Sequence, residues 1–250
     1  MSSLRGARVA LIACGSFNPP TYMHLRMFEC ARDMLQQKYG CIVVEGIISP
    51  VSDHFPKIGL LPSKHRLRMA ELAVRSSKWI RVDNWECAQN AWTRTVVVLQ
   101  HFKKMLTQKT NSNNDNDTHL MLLCGGDVVD SFTKLTKSGD PLWEPKDITE
   151  IINDFGLVII HRRDSEPKET LKKLEFVNQL LDNVYIFNDE VLPNDISSTR
   201  IRAAVKNGHS IKYCTDDAVI DYIVSNGLYR DDGNNDQTED KKTESLVVER

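Results

Sequence analysis

A chain of 250 residues, 41% of them hydrophobic, is long enough for one large α/β domain or two small ones and has the composition of a soluble globular protein. Its 32 basic and 34 acidic residues are mixed throughout and leave a net charge of −2, which argues against a nucleic-acid-binding surface and for a small-molecule substrate. Six cysteines, at positions 14, 30, 41, 87, 124 and 214, show no CxxC or metal-ligand spacing. They read as buried free thiols of a reducing compartment, the cytoplasm, with the nucleus left open. The leading MSSLRGAR and the short apolar run after it fit neither a signal peptide nor a membrane span.

The first informative stretch is VALIACGSFNPPTYMH at residues 9–24. An unbroken apolar run that stops at Gly15 predicts a buried parallel strand feeding a phosphate loop. Gly15 and Ser16 let backbone approach a ligand, Pro19 and Pro20 hold the loop extended, and Thr21 is a good N-cap. His24 then falls in the first helical turn, where anions bind. The run has neither Walker nor GxGxxG spacing.

Leu25, Phe28, Ala31 and Leu35 give an amphipathic helix ending near Gly40, and CIVVEGIIS is a second strand. Residues 50–62, with three prolines, form a loop at that strand's carboxyl end. Ser63 is expected to cap a helix to about Ser77, with Arg66 on its outward side. A brief strand at 79–82 leads through a segment with two tryptophans, Trp85 and Trp92, to a helix carrying Val96, Leu99, Phe102 and Leu106. Residues 108–118, without an apolar side chain, predict a mobile loop. HLMLLC is a fourth strand, ending at Gly125 and Gly126 with Asp127 at the head of the next helix.

Further on, Asp147 is expected to cap a helix to about Phe155, strands follow at 156–161 and 184–188, and a helix at 168–181 lies between them. ISSTRIR at 196–202 opens a helix closed by Gly208. Its hydroxyls and free N–H groups suit phosphate, and Arg202 adds a bidentate donor one turn on. A last helix runs from 215 to 226, and the polar residues 231–250 predict a disordered tail. The alternation predicts a single domain over 1–230: a doubly wound, Rossmann-like parallel sheet of about six strands with helices on both faces.

GSFNPPTYMH resembles the signature of the nucleotidylyltransferase superfamily, in the T-x-x-H form of eukaryotic nicotinamide mononucleotide adenylyltransferases. Met23 stands where the wider superfamily has Gly, which favours the eukaryotic branch. The resemblance extends from Arg8 to about Tyr229, through GIISPVSDHFPK, WTRTV, LLCGGDV, PLW, GLVIIHRR and NDISSTRIR. It implies transfer of an adenylyl group from ATP to nicotinamide mononucleotide, and to nicotinate mononucleotide as well. By it, Gly15, Ser16, Phe17, His24, Lys57, Gly125, Asp127, Ser197, Ser198, Thr199 and Arg202 bind ATP, with His24, Lys57 and Arg202 acting catalytically. Ser16, Trp92, Thr95, Leu142, Trp143 and Arg162 bind the mononucleotide. Mg²⁺ enters on the ATP phosphates and no protein metal site is expected, although Asp127 is left open between the adenosine ribose and the Mg²⁺.

The chemistry fits. A 5′-phosphate is already an anion and needs no general base, so positioning and charge stabilisation carry the step. Two tryptophan faces suit a pyridinium ring. The expected partners are therefore the two nucleotides, without nucleic acid or membrane, and a homo-oligomer is left open. A second role implied by the resemblance is a holdase or interaction function beside catalysis.

Overall fold

The computed structural model describes residues 4–111, 118–136, 138–161, 165–189 and 195–230. Six parallel strands form one sheet: β1 (Arg8–Gly15), β2 (Ile42–Pro50), β3 (Ile80–Val82), β4 (Thr118–Gly125), β5 (Leu157–His161) and β6 (Val184–Asn188). Their order is β3-β2-β1-β4-β5-β6, so successive connections run one way from β1 and then, beyond β3, the other way. The reversal leaves a crevice between the carboxyl ends of β1 and β4, the place where open α/β sheets bind ligands.

Side chains alternate across the sheet as the period of a strand requires. Val9, Leu11, Met121, Leu123, Val158 and Ile160 pack on one face against α1 (Tyr22–Tyr39), with Phe28, Ala31 and Leu35 of that helix fully buried. Ala10, Ile12, Leu120, Leu122, Leu157 and Ile159 pack on the other against α3 (Thr95–Asn111) and α5 (Pro145–Glu150). A third cluster joins α2 (Ser63–Val74), α7 (Ser198–Lys206) and α8 (Asp217–Ser225) through Met69, Ile201, Val219 and Ile223. Gly46 is what allows α1 to lie so close to β2, because a Cβ there would stand 2.8 Å from the Phe28 ring and 3.1 Å from Trp79.

Several expected boundaries move. Helix α3 runs on to Asn111 and β4 begins at Thr118, so only the middle of the expected loop, 112–117, falls outside the described residues, as does the expected tail at 231–250. The expected helix at 168–181 is α6 (Pro167–Lys172) followed by 3₁₀ turns at Glu175–Val177 and Leu181–Asn183. Leu171, Leu174, Val177 and Leu180 recur every third residue and all pack on the sheet, a spacing that suits three residues per turn. Asp147 lies inside α5 rather than capping it, buried, with both oxygens accepting from Arg94 at 2.7 Å.

Ser63 is likewise the first residue of α2, not its cap, which is Pro62. Asp53 takes over that task from a distance. Its carboxylate accepts from the Ser63 backbone N–H at 2.6 Å and from the Ser63 hydroxyl at 2.9 Å. Arg66, expected on the outer face, is 0% exposed. Its guanidinium donates to the carbonyls of Leu61, Ser16 and Val51 at 2.7, 3.1 and 2.7 Å and to Asp53 at 2.8 Å, which stitches the loop after β2 to the loop after β1.

Burial pushes the Asp53 carboxyl upward, but the hydrogen bonds from Arg66 and Ser63 outweigh it and hold the group below the ordinary carboxylate range. A folded value below the unfolded one makes this contribution complete above about pH 4 and lost as pH falls through the lowered folded value. The stability gap between the parent and Asp53→Asn should therefore be widest near neutrality and close below about pH 4 in thermal melts. A gap that is constant with pH would show that the charge of Asp53 is not what stabilises.

Candidate active site

Between Gly15 at the end of β1 and Thr21 before α1, the chain turns through Phe17, whose φ of +46° lies in the left-handed region, and a cis Asn18–Pro19 peptide. Thr21 caps α1 and His24 completes a capping box with it. The Thr21 backbone N–H donates to His24 Nδ1 at 2.9 Å. A backbone amide cannot reverse its role, so Nδ1 is an acceptor and the neutral ring carries its proton on Nε2. The cap therefore fixes the tautomer of a side chain that lines a cavity of about 220 Å³. Phe17 holds the ring from the side, its centroid 5.2 Å away and tilted by 60°.

Three other elements meet this turn. Lys57 Nζ donates to Ser16 Oγ at 3.4 Å from the loop after β2. From α7, Ser198 Oγ donates to the Pro19 carbonyl at 2.7 Å and Arg202 Nη1 to the Asn18 carbonyl at 2.9 Å. Asn18 itself is buried and donates to the Gly59 carbonyl at 2.8 Å while accepting the Tyr229 hydroxyl at 2.7 Å. Burial pushes the Tyr229 phenol upward, which keeps it a donor.

At the start of α7, Ser197 caps the helix by accepting from the Arg200 N–H, and Thr199 Oγ1 accepts from Arg202 Nη2. As acceptors, both hydroxyls keep a proton to donate; that of Ser198 is committed to Pro19. Across the cavity Gly125 ends β4, and Asp127 lies in the first turn of α4 (Gly126–Asp130). A Cβ on Gly125 would collide with the Asp127 carboxylate, so glycine lets that acid fold back over the strand end.

Gly15, Ser16, Phe17, His24, Lys57, Trp92, Thr95, Gly125, Asp127, Trp143, Ser197, Ser198 and Thr199 thus line one cavity, gathered from six separate stretches of chain. Trp143 is 7% exposed, edge-on to Phe132 with its indole N–H donating to Ser131 Oγ at 2.9 Å, a fixed wall. Trp92 is 41% exposed and leans on Phe55. Two expected residues lie apart from the cavity lining: Leu142 packs into the core beside Trp143, and Arg202 is turned to Asn18 and Thr199. Arg162 lies outside the described residues. Sequence reasoning assigned no role to Asn18, Phe55 or Glu86, although all three lie in stretches it had marked, and it placed Arg66 on the outer face of its helix.

A doubly wound sheet whose crevice is edged by a histidine, a lysine and two helix starts defines a nucleotidyltransferase, and the cytidylyltransferase-like family model matches residues 12–204. Among curated proteins, the chain is 46% identical over 224 residues to nicotinamide/nicotinic acid mononucleotide adenylyltransferase 2 of Caenorhabditis elegans, covering 89% of this chain and 98% of that one. It is 43% identical to the nicotinamide/nicotinic acid mononucleotide adenylyltransferase of Oryza sativa subsp. japonica, covering 91% and 88%. The corresponding protein 1 of Bos taurus is 36% identical, with 92% and 91% covered. The chain belongs to the nicotinamide/nicotinic acid mononucleotide adenylyltransferase family of nucleotidyltransferases. Its fold is also that of the Plasmodium falciparum nicotinic acid mononucleotide adenylyltransferase complexed with NaAD, with a TM-score of 0.64 at 20% identity over 89% of this chain and 97% of that one.

Proposed function

We propose that this chain joins ATP to nicotinamide mononucleotide, giving NAD⁺ and pyrophosphate, and that it accepts nicotinate mononucleotide too. The observation that carries this reading is the meeting of His24, Lys57 and the α7 start with Trp92 and Trp143 around one cavity. An oxygen of the mononucleotide 5′-phosphate attacks the α-phosphorus of ATP in line. The bond from that phosphorus to the bridging oxygen breaks, and pyrophosphate departs with the electron pair. No proton need be removed from the nucleophile.

The protein's part is placement and charge. His24 donates from Nε2, Lys57 supplies a cation, and Ser197, Thr199 and the N–H groups opening α7 donate to phosphate oxygens. Arg202 serves both as a hold on the Asn18 carbonyl and as a cation at the same edge. Among the described residues, no group of three His, Cys, Asp or Glu side chains gathers to hold a metal ion. Mg²⁺ would enter with the substrate, carried on the triphosphate, where it would neutralise charge building on the leaving group.

All six cysteines are free thiols, which suits the cytoplasm, and no described helix is long and apolar enough to cross a membrane. Nothing in the fold or the comparisons favours a holdase role.

Incubation with ATP, Mg²⁺ and nicotinamide mononucleotide tests the reading: NAD⁺ and pyrophosphate should appear in equal amounts, and their absence would overturn it. The aromatic wall has its own test. Trp92→Ala should raise KM for nicotinamide mononucleotide roughly tenfold, equivalent to about 1.4 kcal/mol, while leaving KM for ATP nearly unchanged. Trp92→Phe should restore part of the loss. Equal damage to both KM values would remove Trp92 from the ring site.

A further inference from the structure

We propose that Glu86 biases the enzyme toward the nicotinamide over the nicotinate mononucleotide; this rests on the adenylyl-transfer reading above. Glu86 lies in the segment between β3 and α3, the stretch that also supplies Trp92. Its side chain is 3% exposed and still lines the cavity, together with Val51, Phe55, Trp92 and Trp143. Ser49, fully buried near the carboxyl end of β2, donates its hydroxyl to Glu86 Oε2 at 2.5 Å. The Ser49 hydroxyl, donating to Oε2, holds the Glu86 carboxyl group in place at the cavity wall. Ser52 Oγ, donating to the Ala91 carbonyl at 3.3 Å, further ties this segment to the loop after β2.

The two mononucleotides share ribose, phosphate and pyridinium ring. They differ in one substituent, an uncharged carboxamide or a carboxylate. With the amide the base is a cation. With the acid it is a zwitterion without net charge, presenting an anion of its own. Aromatic and aliphatic walls screen charge poorly, so a fixed carboxylate at this wall favours the cationic base and opposes the acid. Discrimination at the substituent is available here because a buried carboxyl group lines the cavity, whereas ring stacking on Trp92 or Trp143 serves both bases alike.

The test is kcat/KM for each mononucleotide with the parent, Glu86→Gln and Glu86→Asp, with KM for ATP as a control. The parent should prefer the amide. Glu86→Gln should move the ratio of amide to acid roughly tenfold toward the acid. Glu86→Asp, which keeps the charge, should stay within about threefold of the parent. KM for ATP should not move in either variant. An unchanged ratio in an active Glu86→Gln would overturn the proposal and leave Glu86 as a structural partner of Ser49. Should that variant fail to fold, the parent decides, since equal or better use of the acid is incompatible with the proposal. A parent that forms neither dinucleotide would instead overturn the adenylyl-transfer reading, and direct binding of the two mononucleotides, tighter for the amide, would still test Glu86.

Discussion

Replacing His24 with alanine is expected to lower kcat by roughly 10² to 10⁴ while ATP binding stays within about tenfold, because a donor aimed at developing charge acts chiefly in the transition state. Alanine also deletes half of the capping box, since His24 Nδ1 is what accepts the Thr21 N–H. His24→Gln separates the two effects. A glutamine at the third helical position rebuilds a capping box with a threonine cap, so its melting temperature should stay near the parent's. It lacks the Nε2–H donor held by the ring, so its turnover should fall with that of alanine. Near-normal turnover in either variant would remove His24 from the chemistry. A Gln variant that melts early yet turns over normally would reduce the residue to a cap.

The second large effect is expected at Arg66, which does not line the cavity. Arg66→Met keeps the length but strands the carbonyls of Ser16, Val51 and Leu61 and leaves Asp53 without its cation. Removing one member of a buried, charge-assisted network costs about 3–5 kcal/mol. For a domain of this size that corresponds to a fall in melting temperature of roughly 10 °C. Arg66→Lys should recover little, because an ammonium cannot reach acceptors spread around a planar fork. Activity should fall too, since the Ser16 carbonyl anchors the turn carrying His24. A melting temperature within about two degrees of the parent would mean that water replaces the guanidinium.

The succession of strands and helices and the cap at Thr21 were legible because they rest on local rules. Apolar runs alternate with amphipathic helices, and a threonine three residues before His24 is a helix start in any context. The cavity was legible by consequence, since strand–loop–helix order alone sends residues 15–24, 125–127 and 197–199 to one edge. Arg66 and Glu86 were not. Helical period placed Arg66 among exposed neighbours, and what buries it is a set of carbonyls from two distant loops, which leave no trace in periodicity. Glu86 sits in a polar stretch, and its pairing with Ser49, 37 residues away, leaves no trace in local pattern. The spacing of three from Leu171 to Leu180 lies within the expected helix at 168–181, and only the fold turns it into 3₁₀ turns.

Asn18 receives the hydroxyl of Tyr229, which stands 211 positions further along the chain, and bonds in the same place to Gly59 and Arg202. A chain emerging from the ribosome therefore completes its whole sheet before it can close this junction. Until Tyr229 is free of the tunnel, the turn bearing His24 lacks its last tie. Stalled translation products that end before this tyrosine would carry the sheet but little turnover.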